Sequence, residues 1–187
     1  MVLTDREIQI AIENDQILVS PVPNELSYSS TSLDLTLSKF FQEWKNQQVT
    51  GVEPVVISPA TPGYKLNEVL KQYSDTKEVN STDGYVLEPK HFVLGWTEEI
   101  VELPVCSRIA ARVEGKSSLA RLGIGIHITA PIIHAGFKGP IQLEICNHGP
   151  FRIRLLPGMR VCQLIFEQTV GTPDKGYAGQ FYGQKSN

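Results

Sequence analysis

Ile124, Ile126 and Ile128 alternate with Gly125, His127 and Thr129, and further on Ile141, Leu143 and Ile145 alternate with Gln142, Glu144 and Cys146. A period of two sends successive side chains to opposite faces of an extended strand, a pattern no α-helix can use. Between the two runs lies Ala135-Gly136-Phe137-Lys138-Gly139-Pro140, a bend with enough glycine to let them pair as a hairpin. Comparable short runs recur at Ile17–Val19, Leu33–Leu37, Val55–Ile57, Tyr85–Leu87, Phe92–Trp96, Arg108–Val113 and Arg152–Leu155. Val161–Phe166 is apolar almost throughout and reads as a central strand. Proline punctuates the runs (Pro21, Pro59, Pro62, Pro89, Pro104, Pro157), as in a barrel or jelly roll. The expectation is a mainly β fold.

Two helices interrupt it. Thr4 and Glu7 have capping-box spacing, and Ile8 and Ile12 continue as a helical stripe that ends near Asn14. Leu66, Val69, Leu70 and Tyr73 suggest a second short helix. The polar stretch 74–83 reads as a mobile loop. A chain of 187 residues can bury a substantial core without a second domain, so 1–187 is expected to be one domain, with 171–187 as a tail.

Chemistry concentrates between Gly115 and Glu144. Lys116-Ser117-Ser118 leads into Leu119-Ala120-Arg121-Leu122, with Gly123 following. Serine favours a helix start and glycine a helix stop, so this is a single short turn with free N–H groups at its beginning. Those N–H groups, two hydroxyls and a cation make an anion site. Arg121 lies three or four residues past the serines and shares their face. A capped surface turn with two solvated cations has the same sequence. Glu144 leaves its strand on the face opposite the apolar row; a solvent-facing spacer carboxylate has that pattern too.

Motif order sharpens the choice. The chain reads Gly115-Lys116-Ser117-Ser118-Leu119-Ala120-Arg121-Leu122-Gly123, then His127-Ile128-Thr129-Ala130, then Ile133-His134-Ala135-Gly136-Phe137-Lys138-Gly139, then Leu143-Glu144. In this order and spacing it resembles the core of the dCTP deaminase family, relatives of the trimeric dUTPases. Leu3-Thr4-Asp5-Arg6-Glu7-Ile8, Ser32-Leu33-Asp34-Leu35 and Pro157-Gly158-Met159 extend the resemblance over most of the chain. It implies a distorted jelly-roll or β-barrel of the dUTPase-like type, with a short N-terminal helix and one or two further short helices.

It also implies a hydrolase that converts dCTP to dUTP and ammonia. Glu144 would then be the general base, with the Ala130 carbonyl placing the water and Ser117 and Arg121 supporting the site. Lys116 and Ser118 would contact phosphates carrying Mg²⁺, and Ile128, Thr129, His134, Tyr177 and Gln180 would contact the nucleotide. The family forms homotrimers with active sites at subunit interfaces. Alternatives are a dUTPase or bifunctional enzyme forming dUMP and pyrophosphate, and a non-catalytic nucleotide-binding relative.

Departures from the family pattern are local. Lys116 stands where the family has arginine, keeping charge without the bidentate fork. His134 stands where the family has the aspartate that meets the 3′-hydroxyl and, in dUTPases, orients the attacking water. In the tail, Tyr177-Ala178-Gly179-Gln180 is similar to the family's K-Y-x-G-Q, but Lys175 is one residue early; Tyr182-Gly183-Gln184 is a second possible alignment.

Other classes are disfavoured. Zinc deaminases need a His and a C-x-x-C pair, whereas Cys106, Cys146 and Cys162 have no ligand spacing, so no zinc is expected. A net charge of −3 argues against general nucleic-acid binding, and a nucleotide needs only a local positive patch. Arg108 and Arg112 share a strand face and read first as a solvated or subunit-facing row, with extension of that patch as the alternative. No apolar stretch approaches the ~18 residues of a membrane span, and the odd, scattered cysteines fit a reducing cytoplasm.

Overall fold

The computed structural model describes residues 1–45 and 55–177. Helix α1 (Asp5–Glu13) follows Thr4, whose hydroxyl donates to the Glu7 carboxylate and accepts from no helix N–H, so the expected capping box does not form; the helix buries Ile8 and Ala11. The strands follow as β1 (Leu18–Ser20), β2 (Tyr28–Ser29), β3 (Ser32–Trp44), β4 (Ser74–Glu78), β5 (Tyr85–Leu87) and β6 (Phe92–Glu102). After them come β7 (Ile109–Gly115), β8 (Ile124–Gly125), β9 (Ile132–Ile133), β10 (Lys138–Asn147), β11 (Ile153–Leu155) and β12 (Arg160–Gln168). Helix α2 (Leu66–Tyr73) precedes β4, and the one-turn α3 (Ser117–Ala120) follows β7.

Among the described residues, ten strands join in one sheet along the path β8-β10-β6-β3-β12-β7-β9, with β1 on β6 and both β2 and β4 on β3. Strands β5 and β11 pair separately. The fold is therefore mainly β, as the alternation predicts. Strand β12 lies between β3 and β7, and its Val161, Cys162, Leu164 and Phe166 are fully buried, in line with an apolar central strand.

Three further expectations need correction. Residues 74–78 are an edge strand rather than a loop, registered from Ser74 opposite Trp44 to Glu78 opposite Phe40. Their polar side chains are what an exposed edge requires, and the backbone ladder needs no apolar residues to form. Residues 55–57 form no strand: Val56 is 92% exposed, so the apolar run has no sheet to join. Strand β8 stops after Gly125, well short of Thr129, and Ile128 is 57% exposed.

That early stop opens the site. Strands β8 and β10 pair only through Cys146 with Gly125 and Asn147 with Ile124. Beyond Gly125 the chain leaves the ladder, and β9 pairs with β7 instead of β10. The expected hairpin is thus closed at its base and held open above it. Gly123 fixes the base: its φ is +89°, and a Cβ there would stand 2.4 Å from the Gly149 nitrogen. Only glycine allows that backbone crossing.

Candidate active site

Within this opening a cavity of about 260 Å³ is lined by Glu144, Gln142, His127, Ala130, His134 and Tyr177 over an apolar floor that includes Val113, Phe137 and Leu143. Strand β10 supplies Glu144 by its alternation: Leu143 and Ile145 are buried, and the carboxylate between them projects half-buried from the other face. The Ile128 N–H donates to Glu144 Oε2 at 2.9 Å, and the Glu144 N–H donates to the Ile126 carbonyl at 3.0 Å. A backbone N–H released when β8 ends therefore holds the carboxylate. One oxygen is engaged; the other is available for a water or substrate proton.

His127, a motif residue to which the sequence reading assigns no role, lines the same cavity. Its Nδ1 is buried without a hydrogen-bond partner. A buried ring nitrogen left without a partner is costly unless a ligand or water completes it.

The opposite wall is aromatic. His134 stacks on Tyr177 with ring centroids 5.8 Å apart and an interplanar angle of 17°, and Phe137 meets Tyr177 at 6.1 Å. The Tyr177 N–H donates to the Ala135 carbonyl at 3.0 Å. Gly136 (φ +91°) permits this approach, since a Cβ there would lie 2.6 Å from the Tyr177 nitrogen. The root of the tail is thus docked against the bend. Gln180, the other tail residue in the sequence reading, lies outside the described residues.

The serine turn stands elsewhere. Helix α3 spans Ser117–Ala120, and the N–H groups of Leu119 and Ala120 both donate to the Lys116 carbonyl. Ser117, Ser118 and Arg121 are exposed. None of these residues, nor Lys116, lines the cavity that holds Glu144, and neither do Ile128 and Thr129. Lys116 Nζ sits 2.5 Å from Asp34 Oδ1, whose side chain is 5% exposed, and Arg160 Nε lies 3.9 Å from Asp34 Oδ2. Lysine in place of the family's arginine is thus anchored within its own chain. Arg112 does not extend the positive patch, because it pairs with Glu114 and Glu167.

Single-sequence reasoning thus finds Glu144, Ala130, His134 and Tyr177 gathered at one cavity, and Lys116, Ser117, Ser118 and Arg121 gathered at one turn. Gln142 is the residue it passes over, although the alternation that exposes Glu144 exposes Gln142 equally.

Solved structures share this architecture. The 2′-deoxycytidine 5′-triphosphate deaminase from Agrobacterium tumefaciens aligns with a TM-score of 0.65 at 24% identity, over 88% of this chain. This chain spans 47% of that longer one. A variant of the Staphylococcus bacteriophage 80alpha dUTPase aligns at 0.50 and 13% identity, over 87% of this chain and 96% of its own. The fold is accordingly of the dUTPase-like class. Within that class the chain belongs to the dCTP deaminase-like family, whose model matches residues 2–169. A Methanobrevibacter smithii protein named dCTP deaminase, dUMP-forming, is 34% identical over 92% of this chain and 82% of its own length. A Rhodospirillum rubrum protein named dCTP deaminase is 35% identical over 95% and 88%.

Proposed function

We propose that this protein is a hydrolase that deaminates dCTP to dUTP and ammonia, with Glu144 as the general base. The observation that carries this reading is a half-buried carboxylate in a small cavity, one oxygen fixed by the Ile128 N–H and the other without a hydrogen bond among the described residues. Water is a weak nucleophile at neutral pH, so attack on C4 of cytosine needs a positioned base. Glu144 takes a proton as the water oxygen bonds to C4, then delivers it to N3. The second water proton passes by the same carboxylate to the 4-amino group. The C4–N bond breaks, ammonia leaves and the C4 carbonyl forms. The Ala130 backbone carbonyl is assigned to orienting the water.

A cavity of about 260 Å³ has room for a base and its sugar but not for a triphosphate as well. The phosphates then extend outside it, toward a surface carrying Ser117, Ser118, Arg121 and Lys116. Those residues do not share a cavity with Glu144 in one chain, which supports the homotrimer implied by the family resemblance, with the turn of one subunit completing the pocket of the next. Ile128 and Thr129, which do not line the cavity, are assigned to the nucleotide where it leaves the cavity; His134 and Tyr177 border the sugar, and residues 171–187 of a single domain are assigned to closing over the nucleotide through Gln180.

Among the described residues, no three His, Cys, Asp or Glu side chains converge as metal ligands. Asp34, the carboxylate beside the turn, is already paired with Lys116. Mg²⁺ is therefore assigned to the triphosphate itself, where it would offset phosphate charge. The zinc signature is missing from the sequence, and the base chemistry is assigned to Glu144.

A second reading has its own support: the M. smithii relative is named dUMP-forming. Against it stands His134, since an imidazole stacked on Tyr177 is no replacement for a water-orienting carboxylate. Product analysis decides. Purified protein given dCTP and Mg²⁺ should yield dUTP and ammonia without pyrophosphate. Equimolar dUMP and pyrophosphate would establish the bifunctional reaction, and no turnover with binding intact would leave a nucleotide-binding relative.

A further inference from the structure

We infer that Thr97 is a positioning residue for Glu144: its buried hydroxyl holds a bulge in β6 that sets the register in which β10 presents the carboxylate. The inference rests on the deaminase reading above. Strands β6 and β10 pair antiparallel, with Pro140 opposite Ile100 and Gln142 opposite Trp96. Ile141 alone on β10 therefore faces Thr97, Glu98 and Glu99 on β6. Continued without that slip, the register at Pro140 would set Glu144 opposite Trp96; it stands opposite Leu94. The bulge moves the carboxylate along β6 by one two-residue step, about 6.8 Å. A step of two preserves the alternation, so Leu143 and Ile145 stay inside.

Side chains hold the bulge from within. Ile141 falls in the slip, and its N–H donates to the Thr97 hydroxyl at 2.9 Å. The same hydroxyl donates to the Glu99 carbonyl at 2.8 Å, which closes the extra residues on themselves. Glu99 then fastens the bulge to β3: Oε2 accepts from the Thr36 N–H at 2.9 Å, and Oε1 from the Thr36 hydroxyl at 2.8 Å. Thr97, Glu99 and Ile141 are all buried. The β3–β6 ladder slips at the same level, between Leu37 opposite Thr97 and Phe41 opposite Gly95. Thr97 thus stands at both slips.

Register matters here because β10 joins the rest of the sheet through β6. It fixes where Glu144 stands against Val113 of β7, Ile133 of β9 and Phe137 of the bend, which line the same cavity. A bulge beside a site re-aims the side chains that follow it. A hydroxyl suits the task, since it accepts from one backbone N–H and donates to one carbonyl at once. Valine has nearly the same shape and does neither. With valine the Ile141 N–H is buried and unpaired, and β10 shifts to relieve it. Ile141 is three residues from Glu144, and a small displacement of a reacting group costs rate before it costs binding.

The test compares Thr97→Val and Thr97→Ser with wild type for single-turnover ammonia release from dCTP and for dUTP binding. The valine variant should release ammonia roughly tenfold more slowly, with Kd for dUTP changed less than about twofold. Thr97→Ser restores the hydroxyl and should return the rate to within about threefold of wild type. An unchanged rate in the valine variant would overturn the assignment. So would a loss of dUTP binding as large as the loss of rate, because Thr97 would then shape the whole cavity, or a serine variant as slow as valine. Thr97→Ala removes the hydroxyl without adding a methyl and keeps the test in force if the valine variant folds poorly. Hydrogen exchange gives a readout apart from activity: the Ile141 amide should be protected in wild type and exchange faster in either variant that lacks the hydroxyl. Wild-type protein that binds dUTP yet never deaminates dCTP would refute the deaminase reading, while exchange at Ile141 would still judge whether Thr97 holds β10.

Discussion

The Glu144 cavity and the serine turn are built to different standards. At the cavity, three groups are held by their own chain: Glu144 by the Ile128 N–H, His134 by its stack with Tyr177, and Tyr177 by the Ala135 carbonyl. At the turn only Lys116 is held, through Asp34, while Ser117, Ser118 and Arg121 face solvent. A reacting centre has to be preorganised before substrate arrives, whereas a phosphate site can be completed by a neighbouring subunit. The contrast is what the proposed sharing of a site between two subunits would look like in one chain, and it can be broken by mutation.

The largest effect is expected inside the cavity. Glu144→Gln keeps the shape and the hydrogen bond from Ile128 but removes the base, and kcat should fall by about 10³-fold or more with dCTP binding retained. Ammonia release under single-turnover conditions, alongside calorimetric titration with dCTP, checks both halves. Arg121→Ala should cost about 10²-fold, through loss of transition-state support from the turn. The two variants then test the division between regions directly. If the turn serves a neighbour's pocket, each dead chain lacks what the other has. Mixed, refolded trimers should regain about a quarter of wild-type activity, the share of interfaces at which both halves are intact. No recovery on mixing would place Glu144 and Arg121 in the same chain's site and erase the contrast.

How much of this was legible beforehand follows the same division. Alternation located β10 and the face bearing Glu144, because period-two burial is local and Leu143 and Ile145 had to be inside. Motif order supplied the grouping of Glu144 with Ala130. What alternation could not reveal was the end of β8 at Gly125: Ile126 and Ile128 continue the pattern, yet the Ile128 N–H is directed to a carboxylate rather than a ladder. That is a tertiary decision, made by a residue far along the chain. Residues 74–78 failed for a similar reason, since an edge strand takes its order from the Phe40–Trp44 backbone and not from its own side chains. The pairing of Lys116 with Asp34 and the orphaned His127 Nδ1 carry no short-range signature at all.

A smaller effect is expected at the anchor of the turn. Lys116→Met leaves Asp34 almost buried with, among the described residues, only Arg160 at 3.9 Å to answer its charge, and should lower stability by about 2–3 kcal/mol. Urea denaturation of the apoprotein reads this without any nucleotide. Lys116→Arg should retain most of the stability, because a guanidinium can still meet Asp34, and should tighten tripolyphosphate binding if its remaining donors reach the phosphates. A lysine that served only as a solvated surface cation would give no change in the denaturation midpoint for either variant.

The smallest effect is expected where the cavity meets the tail. At Gly136 the backbone is left-handed, and an added methyl would point at the Tyr177 nitrogen from 2.6 Å, a backbone neighbour that cannot swing aside. Gly136→Ala should therefore cost about 1–2 kcal/mol of stability and loosen residues 175–177 from the bend. Glu144, Ala130 and the serine turn are not touched by this change, so kcat should hold within about threefold while KM for dCTP rises several-fold, as expected when uniform binding is lost. Tyr177→Ala should give the same division with the backbone crossing intact, which separates loss of the aromatic wall from strain at the bend. If both variants instead lowered kcat and left KM alone, the tail root would belong with Glu144 in the machinery of reaction. The boundary between a preorganised centre and a completed binding surface would then have to be drawn beyond Tyr177, among the residues that follow it.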